Sequence, residues 1–367
     1  MQISHEKPIF SLIDKDNGNE NDKQVVANLL YEYWREIDYP HKTIPAEFLK
    51  RQLQFQFNKN QITKYVLMRN SNYEDVGFIS LNISIGKHNR ELVKTHSFIK
   101  PEFRRKYNFK KLFLESINHI PNYVKTYSFF FRIDDDQENP SEKKSLDAKL
   151  KSLKDELEAK LAFTGRRSES DLTKFDLSKV TKTAEDLKQK AKQNGYDIYF
   201  MDDISFSNVP FTMKQYVKLI EEISNDMPRD ESLQEDTDMH EKDFLNWYAF
   251  AKEDQMIFWH FIAVDTKSGF PVGMTETRIH RFRPEISYVA DTGVHRDHRG
   301  KKLGLTLKYQ MLVKLLSFSQ VKTWITFNAK SNNHMISIND ELGYKQSSLD
   351  IQYEIPIDKL KNYFESK

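Results

Sequence analysis

ISYVADTGVHRDHRGKKLGLTLKYQMLVKLLSF, residues 286–318, decides how the rest of the chain is read. ISYVADTGV has the composition and alternation of a strand, and KLGLTLKYQMLVKLLSF has apolar residues at helical spacing. Between them stand Arg299, Gly300, Lys301, Lys302 and Gly304. The first N–H groups of a helix have no carbonyl partner and carry partial positive charge. Glycine lets an anion approach them without a Cβ in the way, and the basic side chains add charge around the seat. A junction of this kind is suited to phosphate. The plainer alternative is a βα turn with solvated basic residues.

Working outward, FWHFIAVDTKSG and PVGMTETRIHRF upstream form a hairpin turning at Ser268-Gly269. FTMKQYVKLIEEISNDM and EKDFLNWYAFAKE before them are helices, and TAEDLKQKAKQNGYDIYFMDD is a helix, a Gly stop and a strand. Downstream, KTWITFNA is a strand, SNNHMISINDELGY a helix, and SSLDIQYEIPI a closing strand.

The first half has the same order. KQVVANLLYEYWRE and AEFLKRQLQFQF are helices; KYVLMRN, VGFISLNISIG and THSFIKP are strands. FRRKYNFKKLFLESINHI is a basic turn feeding a helix, and VKTYSFFFRI is a buried strand. DDDQENPSEKK is a loop, SLDAKLKSLKDELEAKLAF a charged helix and TKFDLSKV a closing strand. A succession repeated at half-chain scale predicts a duplicated domain, with residues 1–180 as one copy and 181–367 as the other.

The bulk numbers allow this. The 367 residues exceed one ordinary core, and 30% charged against 38% hydrophobic residues is globular. A net charge of +2 does not call for nucleic acid. Zero Cys excludes disulfides, thiolate metal sites and Cys nucleophiles, and fits a reducing compartment. The start of the chain lacks a signal-peptide pattern, and no apolar run approaches a membrane span. A cytoplasmic protein, monomeric or homodimeric and without a membrane partner, is expected.

Residues 288–308 resemble motif A of the GNAT superfamily of N-acetyltransferases, Gln/Arg-x-x-Gly-x-Gly/Ala. Arg299 fits the first position and Gly304 the last, while Lys302 occupies the inner glycine. ITFNAKSNNHMISINDELGY resembles motif B, with Asn332 at the family's Asn and Leu342-Gly343-Tyr344 at the turn that ends the helix. The pair looks most like the C-terminal half of tandem GNAT proteins of mycothiol-synthase-like architecture. The resemblance implies an α/β (α+β) fold of two tandem GNAT domains, each a mixed, mostly antiparallel twisted sheet flanked by helices. It implies acetyl-CoA as cosubstrate, with no metal. The cofactor would be held by Val294, Arg299, Gly300, Lys301, Lys302, Leu303, Gly304, Leu305 and Asn332, with pantetheine along Val294 where two strands splay. At the matching place in the first half, Arg104 fits motif A, but Tyr107 and Phe109 stand at the glycines. That half is expected to be a degenerate GNAT-like domain; acceptance of CoA through Arg105, Lys106 and Lys110 is the alternative.

Acetyl transfer to an amine needs a base, and often an acid for the leaving thiolate. Asp291 is the first choice for the base, Glu276 the second, with Tyr288 and Glu285 nearby in sequence. Strict alternation puts Tyr288 and Asp291 on opposite faces. The family often places a Tyr acid three residues before Leu-Gly-Phe; here Asn339 takes that position. His280, His295, His298 and His334 read as solvated or phosphate-facing rather than as metal ligands, since His295 and His298 share a turn with Arg296 and Arg299. The stretch NDMPRDESLQEDTDMHEKDF, with Asp226, Asp230, Glu231, Glu235, Asp236, Asp238, Glu241 and Asp243, reads as an acidic acceptor rim or as a solvated loop. Trp247, Tyr248 and Phe250 read as an aromatic wall or as core. The expected activity is acetyl transfer to a primary amine of a small molecule, with a non-catalytic acyl-CoA-binding or regulatory protein as the alternative. Walker A, G-x-S-x-G and HExxH patterns are absent, which disfavours a kinase or hydrolase.

Overall fold

The computed structural model describes residues 7–14, 16–37, 44–53, 61–85, 91–104, 106–134, 154–233 and 236–366. The chain forms two compact units. One comprises residues 1–164, 230–235 and 350–367, the other residues 165–229 and 236–349. The boundary expected at residues 180 and 181 falls inside a helix, Leu177–Gln193.

In chain order, the first unit has β1 (Ile9–Asp14), α1 (Glu20–Glu36), α2 (Ala46–Leu53), β2 (Gln61–Arg69), β3 (Asp75–Ser84), β4 (Leu92–Ile99), α3 (Lys106–Ile117) and β5 (Thr126–Asp134). Strand β6 (Lys160–Asp171) passes into the second unit, which continues with α4 (Leu177–Gln193), β7 (Tyr196–Asp202), α5 (Met213–Asn225), α6 (Glu241–Glu253), β8 (Met256–Asp265), β9 (Pro271–His280), β10 (Ile286–Val294), α7 (Leu303–Ser317), β11 (Thr323–Ala329) and α8 (Asn333–Glu341). Strand β12 (Lys345–Pro356) leads back to the first unit, where its residues from 350 onward and α9 (Ile357–Ser366) belong. Both units thus run strand, two helices, three strands, helix, strand.

The sheets repeat as well. In the first unit β1 to β4 are antiparallel neighbours, and β5 lies parallel to β4 over Leu92–Thr95 and Thr126–Phe129. In the second, β7 to β10 are antiparallel neighbours, and β11 lies parallel to β10 over Ile286–Tyr288 and Thr323–Ile325. The far edge of β11 pairs with Gly165–Asp171 of β6.

Helices cover both faces of the second unit's sheet. Leu303, Leu307, Met311 and Leu315 of α7 pack with α4 on Trp259, Phe261, Ile279, Val289 and Trp324. On the opposite face Tyr216, Ile220 and Ile223 of α5 and Phe244 of α6 pack on Ile262 and Met274. Each such side chain contributes roughly 1.5–3 kcal/mol on leaving water. Helix α5 approaches β10 so closely that a Cβ on Gly293 would lie 2.4 Å from Ile223 Cγ2.

Two elements differ from the sequence reading. TKFDLSKV is not a strand: the Asp176 carboxylate accepts from the Ser178 and Lys179 amides and starts α4 there. The strand is β6, which takes in the end of the stretch read as a charged helix; residues 145–153 of that stretch lie outside the described residues. The loop DDDQENPSEKK lies outside them apart from its first residue, as does the start of the chain through residue 6. Among the described residues no helix is long and apolar enough to cross a membrane.

Candidate active site

Beyond Tyr288 and Ile325, β10 and β11 part. Strand β10 continues along β9 to Val294, while β11 follows β6 to Ala329. The His295 amide donates to Val272 O on β9 at 2.8 Å. By alternation, the N–H and C=O of Val294 turn to the side that β11 has left. A short turn, Arg296–His298, then leads to Gly300 at φ 79° and Lys302 at φ 58°. Lys302 takes the left-handed conformation that glycine adopts without strain, at the place where motif A has its inner glycine. Its side chain points outward and is exposed. A lysine cannot cap a helix start, and the first turn of α7 has no side-chain cap. A Cβ on Gly304 would meet only Ile338 Cδ1 at 3.6 Å and Val294 Cγ2 at 3.9 Å. Gly304 therefore keeps a gap between the strand end and α8. Leu303 and Leu305 bury their side chains in the core, so only their amides face this seat.

The basic residues expected around the seat are mostly tied down. Arg299 Nε donates to Val294 O at 3.0 Å and Nη2 to Asp226 at 2.8 Å. Arg296 reaches the other oxygen of the same carboxylate. Lys301 Nζ donates to the Tyr196 hydroxyl at 2.5 Å, and that hydroxyl also bonds His298 Nδ1 at 3.0 Å. Among the described residues, Lys302 alone of these four has an ammonium or guanidinium without a polar partner. Asn332 caps α8, its side-chain oxygen accepting from the Met335 amide at 3.2 Å.

The first unit repeats this fastening. Arg104 Nε donates to Ile99 O at 2.8 Å, and its Nη2 reaches Glu36 at the end of α1. In the place of Gly304 stands Phe109, whose ring packs against Phe113 and Phe364. Arg105 and the side chains of Lys106 and Tyr107 lie outside the described residues.

On the α5 and α6 face, Asp291, Glu276 and Tyr288 come together. Val289 pairs with Thr277 and Thr292 with Thr275, so Ala290 and Asp291 bulge opposite Glu276. The bulge corrects the expectation from alternation: Tyr288 lies directly across from Arg278, and Asp291 also acts electrostatically on Arg278. Glu276 is 3% exposed. Arg278 Nε donates to Glu276 Oε1 at 2.5 Å, and the guanidinium lies 4.3 Å from the Trp247 ring centre. His260 pairs with Glu276 across β8 and β9, and its Nδ1 shares a 2.8 Å hydrogen bond with the Tyr216 hydroxyl. Burial lowers the His260 pKa and keeps that imidazole neutral. Burial, with the Glu276 carboxylate beside it, pushes the Asp291 carboxyl up to about 6 against the pull of Arg278. Glu285 stands at the other end of β10, paired with Arg283 at 2.6 Å.

Two residues of consequence escaped the sequence reading, Arg278 and Lys308. Lys308 of α7 is wholly buried, its Nζ donating to Asn339 Oδ1 at 2.5 Å beneath Trp324 and Tyr344. Asn339 in turn donates to Asn328 Oδ1 at 2.7 Å. Burial depresses the Lys308 amine to about 7. The signal for Lys308 was present, since it shares the helical stripe of Leu305, Met311, Leu312 and Leu315.

The histidines are scattered in role. His298 bonds Tyr196, His295 lies 3.7 Å from Glu222, and His280 stacks on Phe282 with its pKa lowered to about 4 by burial. Among the described residues the acidic stretch does not converge either. Asp226 holds the two loop arginines, Asp236 pairs with Arg229, Glu241 and Asp243 sit in the first turn of α6, and Glu235 lies outside the described residues. Tyr248 is core, its ring 4.7 Å from Phe258.

Residues 218–344 match the Acetyltransferase (GNAT) family model, a span holding β10, the loop and Asn339. Over 95% of this chain and 98% of the other, the structure is similar to a tandem GNAT protein from the clavulanic acid biosynthesis pathway, with a TM-score of 0.67 at 16% identity. The chain carries a GNAT domain and has the tandem GNAT fold. A GCN5-related N-acetyltransferase from Sphaerobacter thermophilus shares this GNAT fold over 95% of this chain and 96% of its own, with a TM-score of 0.57 at 12% identity. No curated protein sequence matches the chain. The matched span holds the parted strands and the uncapped helix start of the second unit, and the match supports acyl transfer in general.

Proposed function

We propose that the chain is an acetyl-CoA-dependent N-acetyltransferase, acting on a primary amine of a small molecule through its second unit. The observation that carries this is the parting of β10 from β11 beside the uncapped first turn of α7, with Asp291 on the same strand. Acetyl-CoA, when bound, supplies the acetyl group as an activated thioester. The amides of Leu303, Gly304 and Leu305 would hold its pyrophosphate, with Lys302 as counter-charge and Val294 along the pantetheine arm. The gap kept by Gly304 fits such a group, since only a side chain there would fill it. Arg299 and Lys301 fasten the loop rather than grip phosphate.

Asp291 takes the proton from the incoming ammonium. A base works best when its pKa lies near the working pH, and burial beside Glu276 moves Asp291 that way. Asn339 has no acidic proton to give, so as the new C–N bond forms the C–S bond breaks and CoA leaves as its thiolate, without the Tyr acid of the family pattern. That same residue favours the second reading, a non-catalytic acyl-CoA-binding protein. A thermal-shift series with acetyl-CoA and CoA, in the intact chain and in Gly304→Trp, tests the site. Binding is expected in the first and lost in the second, and unchanged binding in the variant refutes the assignment. Thioester consumption with a panel of amines separates the two readings.

A further inference from the structure

Arg278 is only partly explained by its neighbours. Glu276 engages it through Nε alone, at 2.5 Å. One face of the guanidinium lies on Trp247, with Phe258 further off at 5.8 Å. Among the described residues the two Nη groups have no hydrogen-bond partner, and 25% of the side chain remains exposed. The planar fork of a guanidinium matches a carboxylate with two parallel hydrogen bonds, and stacking on an aromatic ring fixes its plane in advance. This fork lies across from Tyr288 and within electrostatic reach of Asp291.

We propose that Arg278 anchors a carboxylate of the acceptor, so that the acceptor is an amino acid or a similar small molecule with amine and carboxylate a few bonds apart. Asp291 then faces the amine while the Nη edge of Arg278 holds the acid, and the half-buried Trp247 lies beside the carbon skeleton. The inference rests on the acyl-transfer reading of this site and adds the acceptor class to it.

The test uses matched pairs, leucine with leucinamide and phenylalanine with phenylalaninamide, as acceptors in acetyl-CoA consumption by the full chain. The amides have the less basic amines, so a preference for the acids cannot arise from amine ionisation. The wild type is expected to favour each acid over its amide by about tenfold or more in kcat/KM. Arg278→Gln is expected to bring that ratio to about one. Arg278→Lys keeps the charge without the fork and should fall between. A wild type that consumes the amides as well as the acids overturns the proposal, as does an Arg278→Gln variant that loses both members equally. Should no amine be consumed, the acyl-transfer reading fails first. Thermal stabilisation of the CoA-saturated chain by acid against amide then still reads the anchor, and equal stabilisation by both sinks it.

Discussion

Lys308 is buried with one carbonyl oxygen for company, and its titration gives the sharpest physical test of the second unit. Its amine is depressed from 10.5 to about 7 by burial. Above pH 10.5 the amine is neutral in both folded and unfolded chains, and the lysine imposes no charge penalty. As the pH falls, the unfolded chain binds the proton first, so stability is lost progressively down to pH 7. Between pH 9 and pH 7 linkage makes this loss roughly 2 kcal/mol. Lys308→Met keeps the volume and removes the titration. Its absolute stability is a contest between relief of the buried amine and stranding of Asn339 Oδ1, which costs about 1–3 kcal/mol. The pH dependence of the gap between wild type and variant is free of that contest. Measured as thermal midpoints, the gap is expected to move by roughly 4–8 °C in favour of the wild type from pH 7 to pH 9. A gap that stays constant over this range would mean that Lys308 is not buried as an amine of low pKa, and the packing described around Asn339 would be wrong.

Asp291→Asn is expected to lower acetyl transfer by about 10²–10⁴-fold, the usual worth of a general base. In the wild type the rate should fall on the acid side of an apparent pKa about 6, as protonation removes the base, and a pH–rate profile checks this. Lys302→Gly should stabilise the chain by about 1 kcal/mol, because the left-handed conformation is one that glycine adopts without strain; a lower unfolding midpoint would contradict that account. Asp226→Asn removes the shared counter-charge of Arg296 and Arg299. Tighter binding of CoA at low salt, with the gain erased at high salt, is expected by isothermal titration.

The segment from β10 through α7 was legible because its period changes from two to 3.6 across a loop with no apolar residue before Leu303. Strand β6 was not, because the side chains it buries include Arg167, Ser168 and Ser170, and no hydrophobic alternation announces it. The bulge at Ala290 and Asp291 is invisible to any period-two reading, yet it is what sets Asp291 beside Glu276. Arg278 reads as a solvated strand residue until its cross-strand partners are known. The passage of residues 350–367 to the first unit leaves no local trace, since β12 has one continuous strand pattern on both sides of the crossing.

The two units together separate what Arg299 does from what the loop does. Arg104 and Arg299 each reach back five residues to the last carbonyl of a strand, at Ile99 and Val294, and each takes a carboxylate from the end of a helix. A residue doing the same work in both units is accounted for by that work, which is to fold the loop back onto the strand end. Its presence in the first unit is then no sign of a cofactor there. The units diverge five residues later, where Gly304 keeps a gap and Phe109 packs its ring against Phe113 and Phe364. On the proposed reading, the space at the first turn of the helix, rather than the arginine, would decide which unit can take the cofactor. On that argument the first motif position is a structural latch, and the proposed anion would meet the amides behind Lys302.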